Sequence, residues 1–173
     1  MRRLRPNPMP RDRQHHGASA GDSVAVELDH LPGHNIRRLQ QIAVAVFLQE
    51  TDSHGITPVQ YAALRAIGDA PGIDQRSLAR AIGFDTSTIA GVVDRLETRG
   101  LMTRHTAPED RRARRLSLST AGRTLLCAAT PAILRAQARI LAPLSRSEQA
   151  EFMRMLRVLV TANNGLSRAP SEA

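Results

Sequence analysis

The chain has 173 residues, a net charge of +8, one cysteine and only four aromatic residues. A single cysteine excludes an internal disulfide and fits a reducing, cytoplasmic setting, and the lack of any run of about 18 apolar residues excludes a helical membrane span. All 24 basic residues are arginine; that side chain stays charged and pairs bidentately with phosphate or guanine, so the balance predicts a polyanionic partner without choosing among DNA, RNA and a membrane surface.

Residues 1–30 carry Pro6, Pro8, Pro10, Gly17 and Gly21, with Arg2, Arg3, Arg5, Arg11 and Arg13 set against Asp12. That composition predicts a disordered basic tail. A solvated tail and a non-specific DNA-contacting arm both fit it, whereas a secretory signal does not, for want of a hydrophobic segment. A first helix is expected from Pro32 to Thr51, with Ile36, Leu39, Ala43, Val46 and Phe47 on one stripe. Within it, Ile42 to Leu48 (IAVAVFL) is apolar all round, which calls for burial on more than one side and hence a second subunit.

Thr57-Pro58-Val59-Gln60 reads as a capping box with proline at the first helical position, opening a helix that runs to Asp69 and stops before Pro71-Gly72. A short helix follows from Ile73 to Gly83, with Asp74 as its cap and Leu78, Ala79 and Ile82 turned inward. Gly83-Phe84-Asp85 makes a turn, and Asp85 caps a helix to about Gly100 whose Ile89, Val92, Val93 and Leu96 form an apolar stripe. Leu101–Thr106 and Arg114–Leu118 read as two strands joined by the charged loop 107–113. Helix, turn, helix and hairpin in this order make a winged helix-turn-helix, expected over residues 57–118. Ser119 then caps a helix to about Ala142, kinked at Pro131 and holding Cys127 as a buried, inert thiol. Ser145-Arg146-Ser147-Glu148 is a second capping box, opening a last helix to about Asn163 with a stripe of Phe152, Met155, Leu156 and Leu159. The fold class is therefore mainly α with a small β-hairpin wing. Residues 31–56 and 119–163 supply terminal helices whose stripes are most economically buried against a twin subunit.

Opposite its apolar stripe, the helix after Asp85 presents Ser87, Ala90, Gly91, Asp94, Arg95 and Thr98. Small residues let backbone approach a DNA groove, and the positive end of the helix dipole favours phosphate. Asp94 lies too far along to help with DNA, so an intramolecular ion pair is expected for it. The loop Glu109-Asp110-Arg111-Arg112-Ala113-Arg114-Arg115 puts four arginines on a hairpin tip, a shape that can enter the narrow minor groove, whose potential attracts arginine. Asp110 is expected to hold the Arg112 guanidinium in a fixed pose. Arg111, Arg114 and Arg115 supply general phosphate attraction.

The stretch SLARAIGFDTSTIAGVVDRLETRGLMTR followed by PEDRRARRLSLSTAGRTLL resembles the MarR family of bacterial transcriptional regulators over about residues 32–162. The resemblance implies a homodimer on a pseudo-palindromic operator in double-stranded DNA, usually repressing. It assigns Asp110 and Arg112 to the wing pair, with Arg112 in the minor groove, Ser87 and Thr88 to the start of the recognition helix, and Gln75, Arg76 and Ser77 to the approach of the preceding helix to phosphate. With Thr86, Arg95, Arg111 and Arg114 these complete the candidate DNA contacts. Ser119 stands where the family often has threonine. The resemblance also implies an effector between the terminal helices and the winged helix: a small aromatic or N-heteroaromatic carboxylate, or its thioester. The segment PGHNIRRLQQIAVAVF is similar to that of members controlling hydroxycinnamate or nicotinate catabolism. Candidate effector contacts near that junction are His34, Arg37, Arg38, His54, Tyr61 and Arg65, a guanidinium facing the carboxylate being the anchor; solvated helix-face residues are the alternative reading.

No nucleophile elbow, phosphate loop or H-E-x-x-H is present, so no enzyme and no cofactor are expected. His15-His16 and the pair His30 and His34 lack ligand-spaced partners, so no metal site is expected either. The rival function is a non-specific architectural DNA-binding protein without ligand response.

Overall fold

The computed structural model describes residues 27–106, 114–167 and 169. Most of the expected basic tail and the wing loop 107–113 lie outside them. A short 3₁₀ turn, Leu28–His30, precedes helix α1 (Pro32–Glu50), so residues 28–30 are structured where the tail was expected to extend to residue 30. A second 3₁₀ turn, Asp52–His54, leads to α2 (Pro58–Asp69). There the expected capping box forms in full: Thr57 accepts from the Gln60 backbone N–H, and the Gln60 side chain accepts from the Thr57 backbone N–H.

Next come β1 (Ile73–Asp74), α3 (Gln75–Ile82), α4 (Thr86–Thr98), β2 (Met102–Thr106) and β3 (Arg114–Leu118). The sheet is three-stranded and antiparallel in the order β1-β3-β2. Strand β1 corrects the expectation that a helix begins at Ile73. Ile73 pairs with Leu116, and the Gly72 N–H donates to the Leu116 carbonyl, so this backbone is extended before α3 starts. Two residues carry no period that a sequence pattern could show. Gly83 closes α3 in the left-handed conformation, at φ 72°, which any Cβ would strain.

Leu116 is fully buried at the centre of the sheet, beneath Leu64, Ile67, Leu78, Ile89, Val92, Val93 and Leu96. The apolar faces of α2, α3 and α4 thus converge on one aliphatic core. That burial stabilises the unit by roughly 1.5–3 kcal/mol per large side chain.

Helix α5 (Thr120–Leu141) runs without a break through Pro131, and α6 (Arg146–Asn163) follows with the expected Ser145–Glu148 capping box. Helix α5 packs along α1, where the half-buried Glu50 carboxylate accepts from Arg135 (3.2 Å) and Arg139 (3.4 Å). Its inward stripe is Ala129, Ala132, Ile133 and Ala136. Cys127 lies across the helix from that stripe and is exposed, which corrects the buried thiol expected from sequence. Helix α6 buries no residue at all.

Candidate nucleic-acid interface

Helix α4 has two unlike sides. Ile89, Val92, Val93 and Leu96 are sealed in the core, while Thr86, Ser87, Thr88, Asp94, Arg95 and Thr98 are exposed. Its N-cap, Asp85, accepts from the Thr88 backbone N–H at 2.8 Å, from the Ser87 hydroxyl at 2.5 Å and from the Thr88 hydroxyl at 2.6 Å. The hydroxyls of Ser87 and Thr88, then the Thr88 backbone N–H, hold the Asp85 carboxyl well below the ordinary carboxylate range. A carboxylate only accepts, so both hydroxyls spend their protons on Asp85 and turn lone pairs outward. Arg95 folds back over Gly91, a nitrogen standing 3.7 Å from where a Cβ on Gly91 would be. Among the described residues it meets no carboxylate.

Helix α3 opens in the same way. Asp74 accepts from the Ser77 backbone N–H at 2.9 Å and from its hydroxyl at 2.7 Å. Partial burial pushes the Asp74 carboxyl up, but hydrogen bonds from Ser77 and from the Arg76 backbone outweigh it and lower the pKa. Arg76 is exposed, and Gln75 and Ser77 are half-buried. The first turns of α3 and α4 therefore both expose polar groups beside a capping carboxylate.

The wing strands extend from this unit. Arg114 is exposed at the end of β3, opposite Thr106, and Arg115 donates to the Gly72 carbonyl at 3.1 Å. Asp110, Arg111 and Arg112 lie outside the described residues, as does the expected Asp110–Arg112 pair. Asp94 forms the expected intramolecular pair, with Arg104 of β2. Arg104 also stands 3.2 Å from Glu97. Sequence reasoning missed Arg104, because an arginine ten residues beyond its partner, across a turn, leaves no periodic signal.

Of the six candidate effector residues, His34 and Arg38 come together at one carboxylate, and the other four have separate partners. His34 and Arg38 face Asp29 at 3.9 and 3.5 Å, and Arg65 pairs with Asp69 at 2.8 Å. His54 sits in its 3₁₀ turn, and the Tyr61 ring packs 6.2 Å from that of the buried Phe47. Arg37 donates to Gln41 at 3.3 Å and meets no carboxylate among the described residues. Separately, α1, α5 and α6 enclose an open apolar hollow of about 320 Å³ between Ile36, Leu39, Phe152 and Leu156, with Gln40 and Gln137 as its polar lining. No sequence signal marked it, because its walls are the same stripes that read as core. Among the described residues no group of His, Cys, Asp and Glu gathers at metal-binding distance, and no single helix is long and apolar enough to cross a membrane.

Residues 56–113 match the family model described as the MarR family. The chain is 36% identical over 129 residues to the transcriptional regulator HosA of Escherichia coli O111:H-, covering 75% of this chain and 94% of HosA. Among solved structures it is similar to the transcriptional repressor CouR bound to a 23-mer DNA duplex, at 30% identity and TM-score 0.73, over 78% of this chain and 95% of CouR. It is similar also to BpsR of Bordetella bronchiseptica, whose DNA binding is regulated by 6-hydroxynicotinic acid, at 27% identity and TM-score 0.74, over 78% of this chain and 96% of BpsR. A helix-turn-helix with its outer face polar, a wing beside it and relatives that regulate transcription over nearly their full length make this chain a transcriptional regulator of the MarR family, not an enzyme.

Proposed function

We propose that the protein is a sequence-specific repressor that binds a pseudo-palindromic operator as a homodimer and is released by a small aromatic or N-heteroaromatic carboxylate or its thioester. The observation that carries the DNA reading is the two-sided α4: one face sealed in the core, the other offering Ser87, Thr88 and Arg95, which meets no carboxylate among the described residues. Helix α4 enters the major groove by its first turn, Thr86 included. Gln75, Arg76 and Ser77 approach phosphate. Arg112, steered by Asp110, enters the minor groove, with Arg111 and Arg114 along the backbone. CouR, a repressor bound to duplex DNA, supports both the partner and the sign of regulation.

Dimerisation through residues 31–56 and 119–163 is supported by apolar surface that a lone chain leaves in water. Ile36, Ile42, Met155, Val158, Leu159 and Val160 are all exposed, and covering them recovers burial worth roughly 25 cal/mol per Å². The effector class is supported by BpsR and by Arg37. Of the cationic candidates on α1 and α2, Arg38 and Arg65 face carboxylates, whereas Arg37 meets none among the described residues and is the one proposed to anchor an incoming carboxylate.

Footprinting on the protein's own upstream region, repeated with a panel of aromatic and N-heteroaromatic acids, tests the whole reading. A protected inverted repeat that at least one acid releases is the expected result. Binding with no preference over random duplex at any salt concentration would make the protein an architectural binder instead.

A further inference from the structure

The outward face of α4, the one proposed to meet DNA, carries an exposed acid, Asp94. At 100° per residue, Asp94 falls on the same side as Ser87, Gly91 and Thr98, opposite Ile89, Val92 and Leu96. Glu97 follows it by one turn. Two carboxylates on such a face oppose a polyanion. Both are met by one cation from another element: Arg104, on β2 opposite the buried Leu116, donates through Nη2 to Asp94 and stands with Nε 3.2 Å from Glu97. Its side chain is 24% exposed, against 63% and 41% for the two acids, and Nε itself is fully buried without a hydrogen bond of good geometry. The guanidinium is thus held by charge contact between strand and helix, its Nε buried and its Nη2 on Asp94.

We propose that Arg104 is a positioning residue for DNA binding that acts through Asp94 and Glu97, cancelling their charge so that α4 meets the duplex as a neutral-to-basic surface. It does not touch DNA. The inference rests on the reading of α4 as the helix that enters the groove. It makes the wing strand part of the recognition helix's electrostatics, a role distinct from any contact made by the wing tip.

The test compares wild type, Arg104→Gln, Asp94→Asn/Glu97→Gln and the variant carrying all three changes. Full-length proteins are titrated by fluorescence anisotropy against the best duplex that wild type selects from a random library, at low and high salt, with dimer state and thermal midpoint measured alongside. Arg104→Gln should bind roughly fivefold to a hundredfold more weakly, with the deficit shrinking as salt screens the repulsion. Removing the acids in the same chain should restore most of the loss. If Arg104 served folding alone, removing its partners would restore nothing, so a triple variant no better than Arg104→Gln overturns the proposal. Should Arg104→Gln fail to fold, the double variant decides: binding at least as tight as wild type supports charge cancellation, and weaker binding refutes it. A wild-type protein that selects no sequence defeats the underlying DNA reading, an outcome distinguishable from all of these.

Discussion

A Cβ placed on Gly122 would stand 2.0 Å from the Leu101 carbonyl oxygen, so the first turn of α5 and the start of the wing touch backbone to backbone. The same junction is tied by the Ser119 hydroxyl, which donates to the Gly100 carbonyl at 2.6 Å and accepts the Gly122 N–H at 3.0 Å. The glycine three residues after the cap, carried in the sequence as part of a family resemblance, thereby acquires a physical reason. Gly122→Ala should cost about 1–3 kcal/mol through forced backbone movement. Urea denaturation reads this directly; an alanine variant as stable as wild type would mean that the junction can open without cost.

Asp85 leads to an acid-dependence prediction. Its folded pKa lies below its ordinary value, because the Ser87 and Thr88 hydroxyls and the Thr88 N–H stabilise the anion. A group depressed in this way stabilises the fold fully above the unfolded value of about 3.9, and the contribution fades as pH falls through the folded value. Asp85→Asn, which keeps a cap, should therefore be less stable than wild type at neutral pH, with the gap narrowing below about pH 4. Denaturation midpoints at several pH values check this, and a gap constant with pH would count against it.

The proposed minor-groove contact is tested at Arg112. Arg112→Ala should weaken operator binding by about 1–3 kcal/mol while leaving the dimer intact. Anisotropy titration measures the first and sedimentation the second, and unchanged affinity removes the minor groove from the proposed complex.

Leu159 probes the proposed dimer. It is 52% exposed on α6, so an arginine there is harmless to a lone chain. Within a subunit contact the same charge loses its water, a penalty of several kcal/mol when unpaired. Leu159→Arg should shift the protein to monomer in sedimentation at micromolar concentration, and a normal dimer would place the subunit contact elsewhere.

Arg37 separates effector response from DNA binding. Arg37→Gln should leave operator affinity unchanged and weaken acid-induced release, since a charged hydrogen bond contributes about 1.5–3 kcal/mol. Calorimetry with the acid that releases wild type from DNA reads the loss, and full retention of response would exclude this guanidinium as the anchor.

What the sequence revealed followed from local rules. Thr57, Asp74, Asp85, Ser119 and Ser145 all cap the helices that their side chains predict, because a cap is settled within four residues. The α4 stripe was legible for the same reason. Relations between distant segments were not. Strand β1 exists because Ile73 meets Leu116, and Arg104 matters because β2 returns beside α4. Cys127 was misplaced because an apolar helix rich in alanine shows no clear inner face until its neighbours are known. The hollow between α1, α5 and α6 stayed hidden, since its lining side chains are chemically the same as those of a filled core.

Helix α5 spans 22 residues, a rod of about 33 Å, with its foot pinned to the wing by Gly122 and Ser119 and its far end among the terminal helices. Tilting such a rod by about 5° about one end displaces the other by about 3 Å, close to the ~3.4 Å spacing of successive bases along one strand. A tilt of a few degrees at the hollow is therefore large enough, at the other end, to put the helix proposed to read DNA out of step with its base pair.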